Sequence, residues 1–308
     1  MILTVTCNPA IDVTYTVDSL APGEVHRVSS VVERPGGKGV NVARVLQQLG
    51  ETTIATGLAD GSFGDAVEAS GVPAAFVPVM SKVRRTLVVH AAGETTSLWE
   101  PGPEVEGSAV AVLEEQVASL LTTATALVVS GSLPAGVPVT LPATLARLAT
   151  KRGVPVVLDL DDEPLKAAAE HSGAVLVPNR DELFRLLGAS GTLDVVEAGR
   201  DLSARTGAAV VVTLGVEGML AVTGEGCWHA AVPEPVRGNP TGAGDSAAAA
   251  IARGLTRGDP WPDIVADAVA LSAAAVLAPV AGEVDLEAYQ RWRPQVRAHL
   301  IQSLPIGR

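Results

Sequence analysis

The sequence predicts an α/β fold in which helices cover both faces of a mostly parallel central sheet. From about residue 110 onward, short apolar strands alternate with helical segments, and short connections of this kind give parallel strands with right-handed crossovers. The composition agrees, because aromatic residues make up only 3% of a chain rich in alanine and valine, as is typical of a buried parallel sheet. A group of short alternating segments before residue 100 predicts a second, small antiparallel sheet.

The first sixty residues contain apolar runs that are separated by turn signals. Asn8-Pro9 ends the first run, Ala21-Pro22-Gly23 marks a turn, and Gly50 follows a stretch with helical spacing. These signals predict, in order, a strand over Ile2–Thr6, strands over Asp12–Val17 and Val25–Val32, a helix over Val40–Leu49 and a strand over Thr53–Gly57.

Three further alternating segments follow at Ala74–Val79, Arg85–Ala91 and Thr95–Trp99. No long helices separate them, so they do not fit the parallel sheet and predict an antiparallel excursion from it. We therefore expect a lid formed by about residues 12–32 and 74–99, within a single domain that spans residues 1–308.

The second half of the chain carries the strand–helix alternation. The predicted strands are Ala126–Ser130, Pro155–Asp159, Ala174–Val177 and Ala209–Thr213, and the predicted helices are Val110–Leu120, Thr140–Lys151, Pro164–Glu170, Arg180–Leu187 and Val195–Thr206. Folds of this class bind ligands beyond the carboxyl ends of the strands. The polar residues expected there are Ser130, Ser132, Asp159, Asn179, Glu182, Thr213 and the neighbouring Gly131 and Gly215.

Charge and cysteine content limit the possible partners. The chain has 34 acidic and 22 basic residues, a formal net charge of −12, so we expect neither nucleic acid nor an anionic membrane as a partner. Cys7 and Cys227 belong to no metal-spaced cluster and fit a reducing compartment. With no signal-like leader and no apolar run long enough to span a bilayer, the expectation is a cytoplasmic protein. Motifs of P-loop NTPases, dinucleotide enzymes and serine hydrolases do not occur.

The segment Thr241-Gly242-Ala243-Gly244-Asp245-Ser246 is the most informative stretch, because it combines a tight glycine turn with the start of an apolar helix. Free amides and the positive end of the helix dipole would make an anion site there. Asp245 lies inside the same turn, where it could take a proton from a hydroxyl that attacks the anion. The alternative is a capped helix start in which Asp245 is an ordinary first-turn acid.

Four short stretches, in a specific order and spacing, extend this interpretation to the whole chain: Thr6–Asp12 (TCNPAID), Pro35–Ala43 (PGGKGVNVA), Glu100–Pro103 (EPGP) and Thr241–Ser246 (TGAGDS). Together they resemble the ribokinase-like carbohydrate kinases, the PfkB family, and most of all its 1-phosphofructokinase and tagatose-6-phosphate kinase branch. The resemblance implies a three-layer ribokinase-like core with a small antiparallel β lid over the sugar. It also implies a kinase that uses ATP and Mg²⁺.

The resemblance assigns expected roles to individual residues. Asp245 would be the catalytic base, and the amides of Gly242, Ala243 and Gly244 would hold the transferring phosphoryl group, with the two glycines also contacting the nucleotide. The expected sugar-binding residues are Asn8, Asp12, Gly37 and Asn41, to which Lys38, Arg84 and Arg85 are added for an acceptor that carries its own phosphate. Turn and helix-start chemistry is the alternative for Asp12 and Asn41, and a solvated surface position is the alternative for Lys38.

The nucleotide end of the site is expected near two further segments. Asn179 and Glu182 match the family's N-x-x-E motif, which orients water around Mg²⁺, although the same spacing is also a helix-capping pattern. Thr213, Gly215 and Gly218 fit the nucleotide loop. The acidic run 159–163 is interpreted as a solvated loop that leads into a helix.

Some positions depart from the phosphosugar branch. Leu87 and Val89 replace polar residues, and Trp99 replaces an asparagine. A ketohexose phosphate, either fructose 1-phosphate or tagatose 6-phosphate, is the expected acceptor. The alternatives are a kinase of the same fold for a neutral sugar or a nucleoside, and a non-catalytic ligand-binding protein on this scaffold. We also expect a homodimer that pairs through the lid, because small sheets are marginally stable alone.

Overall fold

Fourteen strands and ten helices lie within residues 1–170, 172–188 and 194–302, which are the parts of the chain that this computed structural model describes. The strands are β1 (Ile2–Thr6), β2 (Ala10–Val17), β3 (Ser30–Gly36), β4 (Thr53–Ala59), β5 (Ala74–Pro78), β6 (Arg84–Ala91), β7 (Glu94–Trp99), β8 (Ala126–Ser130), β9 (Val156–Asp159), β10 (Val175–Leu176), β11 (Val210–Thr213), β12 (Met219–Thr223), β13 (Gly226–Ala230) and β14 (His299–Ile301). The helices are α1 (Lys38–Gln48), α2 (Phe63–Ala69), α3 (Ser108–Leu120), α4 (Leu141–Thr150), α5 (Asp162–Ala168), α6 (Arg180–Leu186), α7 (Val195–Thr206), α8 (Ala243–Arg257), α9 (Trp261–Val276) and α10 (Leu286–Trp292).

Ten strands form the central sheet in the order β14-β13-β12-β11-β10-β9-β8-β1-β4-β5. Every pairing from β5 to β11 is parallel, and β12, β13 and β14 extend the sheet in antiparallel fashion. The predicted mostly parallel sheet is therefore confirmed. Its carboxyl edge is the edge where β1, β8, β9 and β11 all end.

Side chains alternate across this sheet and create two cores. On β1, Leu3 and Val5 face a core built with α2 to α7, whereas Ile2 faces a core built with α8, α9 and α10. Strand β8 alternates in the same way, with Leu127 on one side and Val128 on the other. Because all these residues are at most 1% exposed, the sheet is buried on both faces and the fold has three layers. No helix of the described residues is long and apolar enough to cross a membrane.

A second, four-stranded sheet in the order β3-β2-β6-β7 forms the lid. Its outer ladders are antiparallel, and β2 and β6 between them pair in parallel. Its inner face carries Asp12, Thr86 and Trp99, which lie in one row across three strands. Its outer face carries mainly apolar side chains.

Two boundaries of the predicted lid are wrong. Residues 74–78 form β5, which pairs with β4 at the edge of the central sheet. Val77 is buried in the core there, and Phe76 packs edge-to-face against Phe63 of α2, with 5.1 Å between ring centroids. In addition, β3 begins only at Ser30, since residues 25–29 form a connection in which Val25 is 94% exposed.

Candidate active site

A cavity of about 520 Å³ lies between the carboxyl edge of the central sheet and the inner face of the lid. The core contributes residues at or just beyond the ends of its parallel strands: Thr6, Gly131, Ser132, Asp159, Asn179 and Thr213. Of the residues expected at this edge, Gly131, Ser132, Asp159, Asn179, Glu182 and Thr213 line the cavity, whereas Ser130 and Gly215 do not. The lid contributes Asp12, Thr14, Arg34, Arg84, Thr86, Val88 and Trp99.

The glycine turn at 242–244 meets this cavity at the start of the 15-residue helix α8. Gly242 has a φ of +89°, and a Cβ there would lie 2.9 Å from the Cα of Ala281, so only glycine fits. The amides of Gly242 and Gly244 have no hydrogen-bond acceptor among the described residues, and they lie at the positive end of the helix. The Ala243 amide is not free in this structure, because it donates to the Pro240 carbonyl at 3.2 Å to close the turn.

Asp245 is 5% exposed and borders the cavity. Its Oδ2 accepts a hydrogen bond from Asn41 Nδ2 at 3.0 Å, which joins helices α1 and α8. Burial raises the pKa of Asp245 to about 7; the nearby Asp159 also raises it, while Lys38 and the bond from Asn41 lower it. The result is a carboxylate whose proton affinity suits a general base near neutral pH.

Lys38 lies among core carboxylates. Its Nζ is 3.3 Å from Asp159 Oδ1 and 3.2 Å from Asp161 Oδ1. Burial alone would lower the pKa of Lys38, but Asp159, Asp161 and Asp245 outweigh burial and raise it. The Lys38 side chain is thus 36% exposed at the wall of the cavity, where it pairs with two carboxylates. The interpretation of Asp159 as part of a solvated loop is wrong, because its side chain is 9% exposed, borders the cavity and accepts from Ser130 Oγ.

Asp12 and Arg84 line the lid side of the cavity. Asp12 accepts a short hydrogen bond from Thr86, and burial raises its pKa against the lowering effect of that bond and of nearby arginines. The Arg84 guanidinium donates to the carbonyls of Asn8 at 3.3 Å and Glu100 at 3.0 Å. A second cation, Arg34, lines the same cavity; it was not among the residues predicted from the sequence, and it pairs with Glu283 at 2.7 Å.

The structure does not bring Arg85 to the cavity, and Leu87 and Val89, which depart from the pattern of the branch, do not line it either. Successive strand residues face opposite sides of a sheet, and it is Arg84, Thr86 and Val88 that face the cavity. Arg85 is exposed on the outer face and pairs with Glu33 at 2.6 Å. Alternation predicts that Arg84 and Arg85 face opposite sides of the lid, but only the pairing of β6 with β2 shows which of them faces the cavity.

Asn8 and Gly37 hold the loops around the sugar end. Asn8 Nδ2 donates to the Pro101 carbonyl and to Ser132 Oγ, both at 3.1 Å, and only its buried Oδ1 lacks a partner among the described residues. Gly37 has a φ of +101° directly before α1, and a Cβ there would lie 2.9 Å from Thr6 Cγ2. Gly37 thus lets the helix start against the end of β1.

Asn179 and Glu182 form a capping box at the start of α6. Asn179 Oδ1 accepts from the Glu182 amide at 2.9 Å, and the Asn179 amide donates to Glu182 Oε2 at 2.8 Å. Both residues also line the cavity, so the capping pattern does not remove them from the site. Burial raises the pKa of Glu182, opposed by its hydrogen bond from Asn179. Within the described residues no three acidic, histidine or cysteine side chains cluster tightly enough to hold a metal alone.

Of the three residues expected in the nucleotide loop, only Thr213 borders the cavity. Gly215 and Gly218 flank a short 3₁₀ turn just after β11. A Cβ at Gly218 would lie 2.0 Å from the Ala230 carbonyl oxygen, so packing against β13 explains this glycine without a ligand. The neighbouring Val216 is 85% exposed.

Comparison with known proteins agrees with this geometry. Residues 5–288 match the model of the pfkB family of carbohydrate kinases. A crystal structure of phosphofructokinase-2 from Escherichia coli in complex with potassium is 30% identical, with a TM-score of 0.88 over 96% of this chain and 98% of that one. A possible 1-phosphofructokinase from Thermotoga maritima is 25% identical, with a TM-score of 0.86 over 98% and 100% of the two chains. Ribokinase from the same organism, at 20% identity and a TM-score of 0.74 over 94% and 99%, shares the fold. The chain belongs to the pfkB family of carbohydrate kinases and is a sugar kinase.

Proposed function

We propose that this kinase transfers a phosphoryl group from ATP to a hydroxyl of a ketohexose phosphate, with Asp245 as the general base. The observation that carries the proposal is the position of Asp245: it is buried at the start of α8, beside the free amides of Gly242 and Gly244, and borders the cavity. A base and an anion-stabilising turn are thus next to each other.

Proton removal and charge stabilisation are divided among these residues. Asp245 takes the proton of the attacking hydroxyl, and its pKa of about 7 makes the ionised form available at neutral pH. The amides of Gly242 and Gly244 donate to the phosphoryl oxygens as charge develops on them. Lys38 adds a positive charge close to Asp245 and Asp159.

The residues at the ATP end fit a water-mediated magnesium site. Glu182 uses only Oε2 in the capping box, so Oε1 remains available at the wall of the cavity. Mg²⁺ usually keeps several waters and takes only one or two carboxylates besides the phosphates, which matches a site without a tight acidic cluster. When bound, Mg²⁺ would neutralise phosphate charge. Glu182 and Asn179 would orient its water ligands.

Arg84 and Arg34 support a phosphorylated acceptor, because both face the cavity from the lid. Guanidinium groups bind phosphate through paired hydrogen bonds. Fructose 1-phosphate and tagatose 6-phosphate remain the first candidates. Fructose 6-phosphate joins them because a structure of the Escherichia coli phosphofructokinase-2, 31% identical to this chain, is a complex with that sugar.

Val88 and Trp99 support the second candidate, a neutral sugar or nucleoside. Both line the lid side of the cavity and add apolar surface there. Trp99 is 70% exposed, which leaves its ring available to stack on a sugar or base.

A substrate panel tests the proposal. ATP turnover is measured with the three phosphosugars, the free ketohexoses and nucleosides, using wild type and Asp245→Asn. We expect turnover with a phosphosugar and a fall of at least ~10²–10⁴-fold in Asp245→Asn, the usual effect of losing a general base. An Asp245→Asn enzyme within threefold of wild type would refute the base. A preference for a neutral sugar would refute the acceptor but leave the base intact.

The lid supports a homodimer. Its outer face presents Val31 and Leu98, which are 55% and 58% exposed, beside the apolar cluster of Val17, Val89 and Ala91. A second copy of this chain would cover this face.

A further inference from the structure

Arg44 is a buried arginine of α1 that does not reach the catalytic cavity. It is 7% exposed and lines a second cavity of about 540 Å³, whose lining shares Arg34 with the candidate active site. Its Nη2 donates to the Pro35 carbonyl at 2.9 Å and to Ser70 Oγ at 3.3 Å. Its Nη1 donates to Asn41 Oδ1 at 3.3 Å. The last contact connects Arg44 to the candidate base, because the same Asn41 amide donates to Asp245.

The Asn41 amide has only one orientation that satisfies both neighbours. A guanidinium has hydrogen-bond donors and no acceptor, so the amide atom that faces Arg44 must be the oxygen. The amide nitrogen must then face Asp245, where it stabilises the ionised carboxylate. Without Arg44 the amide could turn over and offer its oxygen to Asp245, and that arrangement would favour a protonated acid.

Gly282 supports this arrangement from the loop after α9. A Cβ there would lie 2.9 Å from Asn41 Oδ1 and 3.1 Å from Arg44 Nη1, so the Gly282 backbone packs directly on the Asn41–Arg44 contact. Gln48 holds this loop, donating to the Gly282 carbonyl at 2.9 Å and accepting from the Val284 amide at 3.3 Å. The contact is therefore enclosed by fixed backbone.

We propose that Arg44 is a positioning residue for catalysis: it fixes the Asn41 amide so that Nδ2 donates to Asp245 and keeps that carboxylate ready to accept a proton. The proposal rests on Asp245 being the base of the proposed function. In this role Arg44 contacts neither the sugar nor the nucleotide.

Other charges face these groups and must be separated from the effect of Arg44. Asp159, Lys38 and Asp12 act on Asp245 from β9, α1 and β2. Arg44 itself faces Arg34, Asp12 and Glu283, and Asp285 lines its cavity. Loss of the Arg44 charge would therefore also affect Asp12, so a changed sugar KM alone would not identify the positioning role.

The test measures the pKa of Asp245 directly, by carboxyl ¹³C titration of aspartate-labelled protein without substrate, with the signal assigned from Asp245→Asn. We expect Arg44→Gln to raise this pKa by about one unit, which corresponds to about 1.4 kcal/mol of lost preference for the ionised form. Arg44→Lys, which keeps a charged donor, should raise it by less. Arg253→Gln is the matched control, since Arg253 is equally buried at 7% exposure but belongs to a network outside the cavity, and it should leave the pKa unchanged.

The decisive comparison repeats Arg44→Gln in an Asn41→Ala background. If Arg44 acts through the Asn41 amide, Arg44→Gln should not change the pKa of Asp245 in the Asn41→Ala background. An equal change of this pKa in both backgrounds would overturn the proposal. An Arg44→Gln substitution that leaves the pKa of Asp245 unchanged in the otherwise wild-type protein would also overturn it. Should Arg44→Gln fail to fold, Arg44→Lys in the two backgrounds gives the same comparison. In kinetics, the acid limb of kcat/KM should move to higher pH with the pKa, while the KM of ATP stays constant. The titration does not depend on turnover, so it tests the effect of Arg44 on Asp245 by itself. The activity of Asp245→Asn tests the proposed base, and an active variant would refute that role separately.

Discussion

At the scale of single residues, the lid shows that two adjacent residues of one strand can face different surfaces. The sequence marks both Arg84 and Arg85 as phosphate ligands, and nothing local distinguishes them. The structure does, because pairing with β2 places Arg84 beside the cavity and Arg85 on the outer face. Asn8, Asp12, Gly37, Asn41 and Asp245 were identified from short motifs that contain a glycine or a proline, and all five line the cavity. Strand faces depend on register, which is a tertiary property.

The two arginines make a matched pair for testing the phosphosugar site. We expect Arg84→Ala to raise the KM for the best phosphosugar roughly tenfold to a hundredfold, from loss of a charge-assisted contact worth about 1.5–3 kcal/mol. Arg85→Ala should behave as wild type, because its partner is Glu33 on the outer face. The KM of ATP should change in neither variant. Equal KM values for both variants would contradict a phosphate site at Arg84.

The pH dependence of turnover tests the electrostatics of Asp245. Burial raises its pKa to about 7, and a base must be ionised to accept a proton. The value of kcat/KM should therefore fall as the pH drops through about 7, tenfold for each further unit. The profile is measured at subsaturating sugar with ATP in excess. A flat profile down to pH 5 would mean that the carboxylate keeps an ordinary proton affinity, contrary to its burial.

At the scale of elements, the sequence missed short elements, elements that depend on partners, and the 16-residue helix α9, whose residues 264–275 are buried on all sides and show no amphipathic stripe. The 12-residue helix α7 and the five-residue buried strand β8 match their predicted bounds to the residue. Helix α2 spans only seven residues, and β14 spans three and exists through pairing with β13. Lys38 belongs to the same class of error, because its environment is set by carboxylates more than 100 positions away.

A buried network of charged residues connects the last three helices, α8, α9 and α10. The sequence alone did not predict this network. Asp267 of α9 contacts Arg253 of α8 at 2.5 Å, the Tyr289 hydroxyl of α10 at 2.6 Å and Arg293 at 3.0 Å. We expect Asp267→Asn to lower the free energy of unfolding by about 3–5 kcal/mol, since it leaves Arg253 charged and buried without its partner. Asp201→Asn, which breaks the exposed pair with Arg205, should change it by less than about 1 kcal/mol. Urea denaturation of both variants provides the comparison, and equal midpoints would show that the network does not stabilise the fold.

At the scale of the whole molecule, the four-stranded lid has two faces with different roles: the inner face lines the cavity, and the outer face is the proposed dimer contact. Alternation along β2 and β6 sends Asp12, Arg84 and Thr86 into the cavity and leaves Leu87 and Val89 on the outer face. The branch departures at Leu87 and Val89 therefore concern the outer surface of the lid, and the side chains that line the cavity are those of Thr86, Val88 and Trp99. The same alternation makes the outer face mainly apolar, whereas the inner face carries polar and charged side chains beside Val88 and Trp99.

That outer face predicts the assembly. A four-stranded sheet with exposed Val31 and Leu98 is stabilised if a second lid covers it, so light scattering at micromolar concentration should give twice the mass of one chain. Leu98→Asp would place a charge in the apolar contact and should shift the protein to a monomer. Leu300→Asp is the matched control, because Leu300 is 63% exposed on β14, at the far edge of the central sheet, and its substitution should leave the dimer intact. A wild-type monomer, or a Leu98→Asp variant that remains dimeric, would contradict pairing through the lid. Neither outcome would change the position of Arg84 and Asp12, because both face the cavity of their own chain in the single subunit.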